Sequence, residues 1–509
     1  MTTRTTTPTL DHASPAAADS QFLADRRPLP AGGRSRPGGP LPDRPPAADH
    51  SARLAGVGRS RIPPAGQPRV AQDTVRQCGA ASVPGRTLVA PGTDRWRYRR
   101  FHRCLSLVRS RTDSDCGIIN QSTLESGTAM KITGVRTIPY QLTMQRPIGD
   151  ANNPVGSDQM PGCALFLDTD EGLSGIGFGG GTLVHDMVQQ LLVGQDPRGV
   201  LGHWNRMVDF VFKQGNRGAN TAAIAAIDTA LWDLKARING EPLWRTLGAA
   251  SNRVRAYASG IDLCLNDEEI AAFYTRMAAR GVAAGKLKIG LDLDADLRRI
   301  GIMRDALATS GKTPELCIDV NEYWSPKQAI RYMHVIEQEY DITWIEEPAR
   351  RWDVDGLRQV SDNVRAAVAS GENLDSLDDY VPLLSARAVD VLNVGVRSGG
   401  FTGAMKVANL AYAYETPVTM MNCAANFMAP LAATLPHHIM MEVLDNGRDA
   451  VLTHSHPIED GWIVLNDEPG LGFTFDEQQL QACAVGGAAG RFGWGRRPGA
   501  GMYLVGPDA

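Results

Sequence analysis

The chain has 509 residues, enough for two or three domains, and 43% of them are hydrophobic, so a substantial core can be buried. No run of about 18 uninterrupted apolar residues occurs and no basic stretch followed by an apolar segment opens the chain, so the expectation is a cytoplasmic protein without membrane association. The net charge of −4 conceals an asymmetry: residues 1–129 hold 19 Arg, no Lys, nine Asp and one Glu, a balance of +9, and the remainder carries −13. Eight cysteines are scattered without a CxxC pair, which excludes a disulfide framework and a zinc site as expectations.

Residues 1–129 are rich in Pro, Gly, Ala and Arg, with no sustained apolar period, and are predicted not to fold alone. An Arg-rich arm could suit nucleic acid, but no aromatic-interleaved motif supports that, and no nucleic-acid partner is expected. Arginine without lysine is the bias of a GC-rich stretch translated upstream of a start, and Met130 in "MKITGVRTIPYQLTM" is the expected first residue. From there "KITGVRTIPYQL" and "CALFLDTDEGLSGIGF" alternate as strands of a small antiparallel meander. Helical patterns follow in "LVHDMVQQLLV", "LGHWNRMVDFVFKQ" and "NTAAIAAIDTALWDLKARIN", the last ending at Gly240 with Pro242 beyond. Residues 130–250 therefore read as an α+β module.

From about residue 251 the texture becomes α/β. Eight short apolar strands alternate with helical stretches: "VRAYASGI", "GKLKIG", "ELCIDVN", "ITWIEEP", "AVASGEN", "VDVLNVG", "PVTMMN" and "HIMMEVL". With no Gly-rich dinucleotide loop after any strand, a closed parallel barrel over 251–445 fits better than an open doubly wound sheet. Strand and turn patterns return over 446–482, and 483–509 reads as a Gly-rich tail.

Charge sits regularly at the C-terminal ends of these strands, where barrel chemistry is built. Lys286 and Lys288 lie on the second, Asp319 on the third, Glu346 on the fourth and Glu372 on the fifth, at separations of 33, 27 and 26 residues, each the size of one βα unit. Three carboxylates brought together would repel by roughly 4 kcal/mol per pair at about 4 Å and an effective dielectric near 20, so they call for protons or a cation. An all-oxygen donor set suits Mg²⁺ rather than zinc.

Residues 130 to about 482 resemble the enolase superfamily, in its mandelate racemase-like branch with the acid-sugar dehydratases. The resemblance is carried by the Lys-x-Lys of "KLKIG", "DVN" at Asp319, "WIEEP" at Glu346, "GEN" at Glu372 and "SGGFTGAMKVA" over 398–408. It implies a capping domain on a modified TIM barrel, (β/α)₇β, with Asp319, Glu346 and Glu372 as Mg²⁺ ligands. It also implies the superfamily's chemistry, in which a Lys or His base works with Mg²⁺ to form an enediolate. Under it Lys288 takes the proton next to a substrate carboxylate, Lys286 holds that carboxylate, Asn321 contacts substrate or a metal-bound water, and Glu442 donates to the carboxylate as a protonated acid. A small-molecule carboxylate as partner and a homo-oligomeric state complete the expectation.

The pattern departs from the family at the second base. Racemases of this branch carry an Asp on the sixth strand and a His on the seventh, and the epimerase branch a Lys on the sixth. Counting back from Gly399, the sixth-strand residue falls on Val394 and the seventh on Met421 or Asn422; His437 and His438 precede the eighth strand. An amide is no general base near neutral pH, so β-elimination from one face is favoured over transfer across two. Asn422 is expected to orient a leaving hydroxyl, with Arg397 or Tyr323 as an alternative acid. The expected function is a Mg²⁺-dependent dehydratase of a sugar acid or other hydroxy acid. A racemase, epimerase or cycloisomerase, and a non-catalytic binding relative, are the alternatives. The substrate is expected to be read by the loops at 148–160 and 213–220.

Overall fold

A computed structural model describes residues 130–487; the expectations for the N-terminal arm and most of the Gly-rich tail lie outside these residues. The alternating N-terminal sequence forms β1 (Ile132–Asp150), β2 (Asn153–Thr169) and β3 (Ser174–Phe178), an antiparallel sheet in that order. The ladder between β1 and β2 runs on to Asp150↔Asn153, through bulges between Thr143 and Asp150. The expected loop at 148–160 is therefore the tip of a long hairpin. Its polar residues and glycines conceal the strand because they carry no sustained apolar alternation, although most of the ribbon is half-buried.

Helices α1 (Thr182–Met187), α2 (Val200–Phe210) and α3 (Ala219–Asn239) complete the cap, and Gly240 ends α3 in the left-handed conformation, its N–H on the carbonyls of Ala236 and Arg237. Helix α3 lies directly on β3 because Gly175 and Gly177 have no side chains. A Cβ at Gly175 would stand 2.2 Å from the Ala230 carbonyl oxygen, and one at Gly177 2.3 Å from that of Ala226. A single turn, α4 (Leu243–Thr246), leads out of the cap.

The eight apolar strands are β4 (Arg253–Ser259), β5 (Ala284–Lys288), β6 (Glu315–Asp319), β7 (Ile342–Glu346), β8 (Ala367–Ser370), β9 (Val391–Val394), β10 (Val418–Met420) and β11 (His438–Val443). All pair in parallel with their neighbours, and β11 pairs with β4 to close the barrel. Between them run α5 (Asp267–Ala278), α6 (Leu293–Ala308), α7 (Pro326–Glu339), α8 (Val354–Ser361), α9 (Leu377–Ser385), α10 (Gly400–Ala413) and the one-turn α11 (Ala429–Ala432), which is the (β/α)₇β plan. Tyr257, Ala284, Cys317, Trp344, Ala369, Val391 and Met440 fill the interior, while Leu287, Ile318, Ile345, Val368, Leu392 and Met441 face the helices. Because strand side chains alternate, this sorting fixes which residues of each strand end face the mouth.

After β11, the hairpin β12 (Ile458–Glu459) and β13 (Trp462–Val464) pairs antiparallel with β4, and α12 (Glu477–Cys483) follows. The same segment rejoins the cap, where Leu471 N–H donates to Asp233 Oδ1 at 2.7 Å. Cap and barrel also meet at the Gly-Gly motif. Trp204 Nε1 donates to the Gly399 carbonyl at 2.8 Å, Trp232 Nε1 to Thr402 Oγ1 at 3.0 Å, and Thr402 N–H and Oγ1 to Asp228 at 2.8 and 2.6 Å. A Cβ at Gly400, whose φ is 76°, would lie 2.7 Å from Asp228 Oδ2. "SGGFTG" is thus the seat of α3 on the barrel. No helix among the described residues is long and apolar enough to cross a membrane.

Candidate active site

Lys286 and Lys288 close β5 two residues apart and share its inward face, while Leu287 between them joins the outer core. Strand register then sets their neighbours: Lys286 opposite Cys317, Lys288 opposite Asp319, and Asp319 opposite Glu346. Lys286 is fully buried and Lys288 is 4% exposed. Lys286 Nζ donates to Glu346 Oε1 at 2.5 Å and stands 3.1 Å from Glu442 Oε1 and 3.4 Å from Asp319 Oδ2. Lys288 Nζ donates to Asp319 Oδ2 at 2.5 Å, and its backbone N–H is held by Asp262 Oδ1 at 2.9 Å.

Electrostatics follow from this packing. Burial alone would lower both amines, but Glu346 and Glu442 at Lys286, and Asp319 at Lys288, outweigh it and hold both ammoniums above their ordinary range. Burial likewise pushes the acids up; at Asp319 the two lysines win and the carboxyl is held low, whereas Glu346 and Glu372 stay raised, each also facing Asp319. Two ammoniums confront four carboxyl groups here, Asp319, Glu346, Glu372 and Glu442. Among the described residues no three acid, imidazole or thiolate groups stand close enough to enclose an ion as placed; Asp319 and Glu346 turn oxygens to the lysines instead. The donor set itself, three carboxyl groups at successive strand ends, of which burial and Asp319 raise Glu346 and Glu372, has the chemistry that accepts a hard divalent cation.

Backbone strain gathers at the same strand ends. Asn321 (φ 45°), Glu322 (φ 59°) and Glu347 (φ 47°) take left-handed conformations that non-glycine residues rarely adopt. At Glu347 this turns a side chain that strand alternation would send outward back among the acids. It is 1% exposed and accepts from Asn373 Nδ2 at 2.9 Å, and burial with Glu372 and Glu322 nearby raises it well above the usual range. Asn321 N–H donates to Asp319 Oδ1 at 2.8 Å, and its carbonyl accepts from Asn152 Nδ2 at 2.8 Å, which brings the hairpin tip over the mouth. Asp150, in that tip, accepts from the N–H groups of Asn152 and Asn153 at 2.7 and 3.0 Å; burial raises its carboxyl and Lys288 opposes the rise. Glu347 could have been noticed as the second acid of "IEEP". Asp150 leaves no sequence signal, since its place depends on the length of the hairpin.

Glu442 faces inward on β11 and is 1% exposed. Burial raises its carboxyl, yet Lys286 and Lys288 more than offset this and bring it to about 2, so the expected protonated donor is a carboxylate that accepts hydrogen bonds. It accepts from Asn422 N–H at 3.1 Å and Nδ2 at 2.6 Å. Asn422 Oδ1 accepts from Arg448 Nη1 at 2.5 Å, so this amide is engaged at both ends. Val394 packs in the outer core with Leu392, while Val391 lies in the interior. Alternation therefore turns Asn393 inward, and the sixth strand, like the seventh, presents an amide. His438 opens β11 at the far end of the strand, where its Nε2 accepts from Met420 N–H at 3.3 Å. Arg397 is paired with Asp375 at 3.0 Å and its side chain is half exposed, and Tyr323 packs against the outer core.

With this geometry in view, two regions of the chain match known family domains. Residues 133–248 match the mandelate racemase/muconate lactonizing enzyme N-terminal domain, and residues 269–479 the enolase C-terminal domain-like family. The chain belongs to the mandelate racemase/muconate lactonizing enzyme family of the enolase superfamily. It is 30% identical over 370 residues, 70% of its length and all of the relative's, to a 3,6-anhydro-alpha-L-galactonate cycloisomerase of Streptomyces coelicolor. It is 30% identical over 357 residues, 66% of its length and 87% of the relative's, to L-talarate/galactarate dehydratase of Salmonella typhimurium. The crystal structure of L-talarate dehydratase from Polaromonas sp. JS666, complexed with Mg and L-glucarate, superposes with a TM-score of 0.63 at 28% identity over 70% of this chain and 98% of that one. Relatives in this family thus include dehydratases, cycloisomerases and epimerases, and solved members bind magnesium.

Proposed function

We propose that this chain is a Mg²⁺-dependent dehydratase that removes the proton α to the carboxylate of a hydroxylated acid, most simply a sugar acid. The observation that carries the reading is one-sided proton chemistry: a buried lysine pair on β5 faces Asn393 and Asn422 where a second base would stand. Asp319, Glu346 and Glu372 would hold the metal, which when bound supplies positive charge against the substrate carboxylate as negative charge builds on it.

Lys286, deep in the pocket and permanently cationic, grips the substrate carboxylate. Lys288, near the opening, must be a neutral amine to act, and it becomes one only when Asp319 is no longer free to pair with it. Its lone pair then takes the α-proton as the C–H bond breaks. The β-hydroxyl leaves on the same face, receives that proton from the Lys288 ammonium and departs as water, and the enol left behind tautomerises to a 2-keto acid. No oxidant or second base is required. The hairpin tip, with Asp150 and Asn152, and the segment at 213–220 would read the hydroxyls. Of these, Arg217 anchors the latter to Asp378 and Asp379 on α9.

A cycloisomerase is the second reading, favoured by the full-length match to an anhydrogalactonate cycloisomerase. Incubation of the purified protein with Mg²⁺ and a panel of sugar acids and sugar lactones separates the two. The dehydratase gives a keto acid lighter by one water, whereas a cycloisomerase gives a product of unchanged mass. Exchange of the α-hydrogen for deuterium with neither product would rule out the elimination.

A further inference from the structure

The seat of the expected second base is occupied by a fixed chain of donors. Asn422 follows β10, Glu442 lies on β11, and Arg448 belongs to the turn after β11. Arg448 Nη1 donates to Asn422 Oδ1 at 2.5 Å and its Nη2 to the Cys423 carbonyl. A guanidinium has only donors, so the amide oxygen of Asn422 must face it and the amide nitrogen must face Glu442, where Nδ2 lies 2.6 Å from Oε2. Lys286 Nζ approaches the other oxygen, Oε1, at 3.1 Å. Donation therefore runs into Glu442 from both sides. The neighbouring residue completes the hold: Asp449 Oδ1 accepts from Ala425 N–H at 2.8 Å, in a loop where Ala425 and Asn426 have φ of 46° and 56°.

We propose that Arg448 is a positioning residue that acts through Asn422: it locks the amide so that Glu442 receives Asn422 on one oxygen and Lys286 on the other, and thereby fixes the ammonium that grips the substrate carboxylate. This rests on the reading of Lys286 given above. Its side chain is only 11% exposed and its contact with Asp449 is long, at 3.9 Å, so its two short donations go to the loop. Without Arg448 the amide can turn over, and its oxygen would then confront the Glu442 carboxylate, acceptor against acceptor. Asn422 is thus withdrawn from the role of orienting a leaving hydroxyl, and that task passes to Lys288.

The test uses Arg448→Met, which keeps the aliphatic stem and loses the donors, Arg448→Lys, which keeps one donor for Asn422, and Asn422→Ala alone and with R448M. Hydrogen exchange by mass spectrometry needs no substrate, and faster exchange over 422–425 in R448M is expected. With the sugar acid identified in the panel, kcat/KM is expected to fall about 10- to 100-fold in R448M. Partial recovery is expected in R448K, and no further loss when R448M is added to N422A. Unchanged exchange over 422–425, losses that multiply in the double variant, or R448K as impaired as R448M would overturn the proposal. If no sugar acid turns over, the reaction class fails by itself and the exchange measurement alone decides the role of Arg448.

Discussion

Replacing Asp228 by Asn tests whether the seat between α3 and the barrel holds a neutral acid. Asp228 is fully buried midway along α3 and accepts two hydrogen bonds from Thr402, 2.8 Å from its N–H and 2.6 Å from its hydroxyl. Burial raises its carboxyl from 3.8 to about 7, against the pull of those donors. Below pH 3.8 both folded and unfolded chains are protonated there. Between 3.8 and about 7 only the folded chain keeps the proton, so stability falls as pH rises; above 7 the folded carboxylate is charged and no further loss follows. Across pH 5 to pH 8 the linkage amounts to about 3 kcal/mol lost from the wild type. D228N cannot lose a proton. Its Oδ1 can accept from Thr402 N–H while its Nδ2 donates to the Thr402 hydroxyl, so the seat survives. Urea unfolding followed by circular dichroism at pH 5 and pH 8 should show D228N gaining on the wild type by about that amount at the higher pH. Equal pH dependence in the two proteins would refute the buried neutral acid.

Lys288→Met should lower α-proton exchange of the turned-over acid in deuterated water by about 10²- to 10⁴-fold, measured by proton NMR, with secondary structure unchanged; residual exchange near wild type would remove Lys288 as the base. Glu372→Gln and Glu346→Gln should each weaken Mg²⁺ binding by at least about tenfold in calorimetric titration, by loss of a charged oxygen donor. Chelation of the metal should abolish keto-acid formation and added Mg²⁺ should restore it. Gly177→Ala places a methyl 2.3 Å from the Ala226 carbonyl oxygen and should cost about 1–3 kcal/mol in denaturant unfolding, without altering Mg²⁺ affinity.

Much of the barrel is readable because its strands are short apolar runs, those from β4 to β8 ending in a polar residue, and the spacing of Lys286, Asp319, Glu346 and Glu372 matches one βα unit at a time. Strand period also places both lysines on one face. What escaped depended on geometry that a linear pattern does not carry. Val394 was the residue aligned with the missing base, but packing turns it to the helices and brings Asn393 inward. Glu347 joins the acids only through a left-handed backbone that reverses strand alternation. Arg448 reaches Asn422 across 26 residues of sequence, from a turn with no motif of its own. Asp150 is hidden for the opposite reason: its segment reads as a loop because its polar residues and glycines leave no apolar stripe to betray the strand.

The hairpin that carries Asp150 has a further consequence for how the barrel mouth can be reshaped. Its tip is pinned by main-chain bonds, Gly149 N–H to the Ile261 carbonyl at 2.7 Å and Leu263 N–H to the Gly149 carbonyl at 3.1 Å, so it behaves as a rigid finger. Adding or removing one residue along a paired ribbon reverses which side chains look into the mouth, whereas a change of two preserves the facing set and alters only reach. Even-numbered insertions would therefore tune the depth of the finger, and odd-numbered ones would replace the whole surface presented to the barrel mouth in a single step.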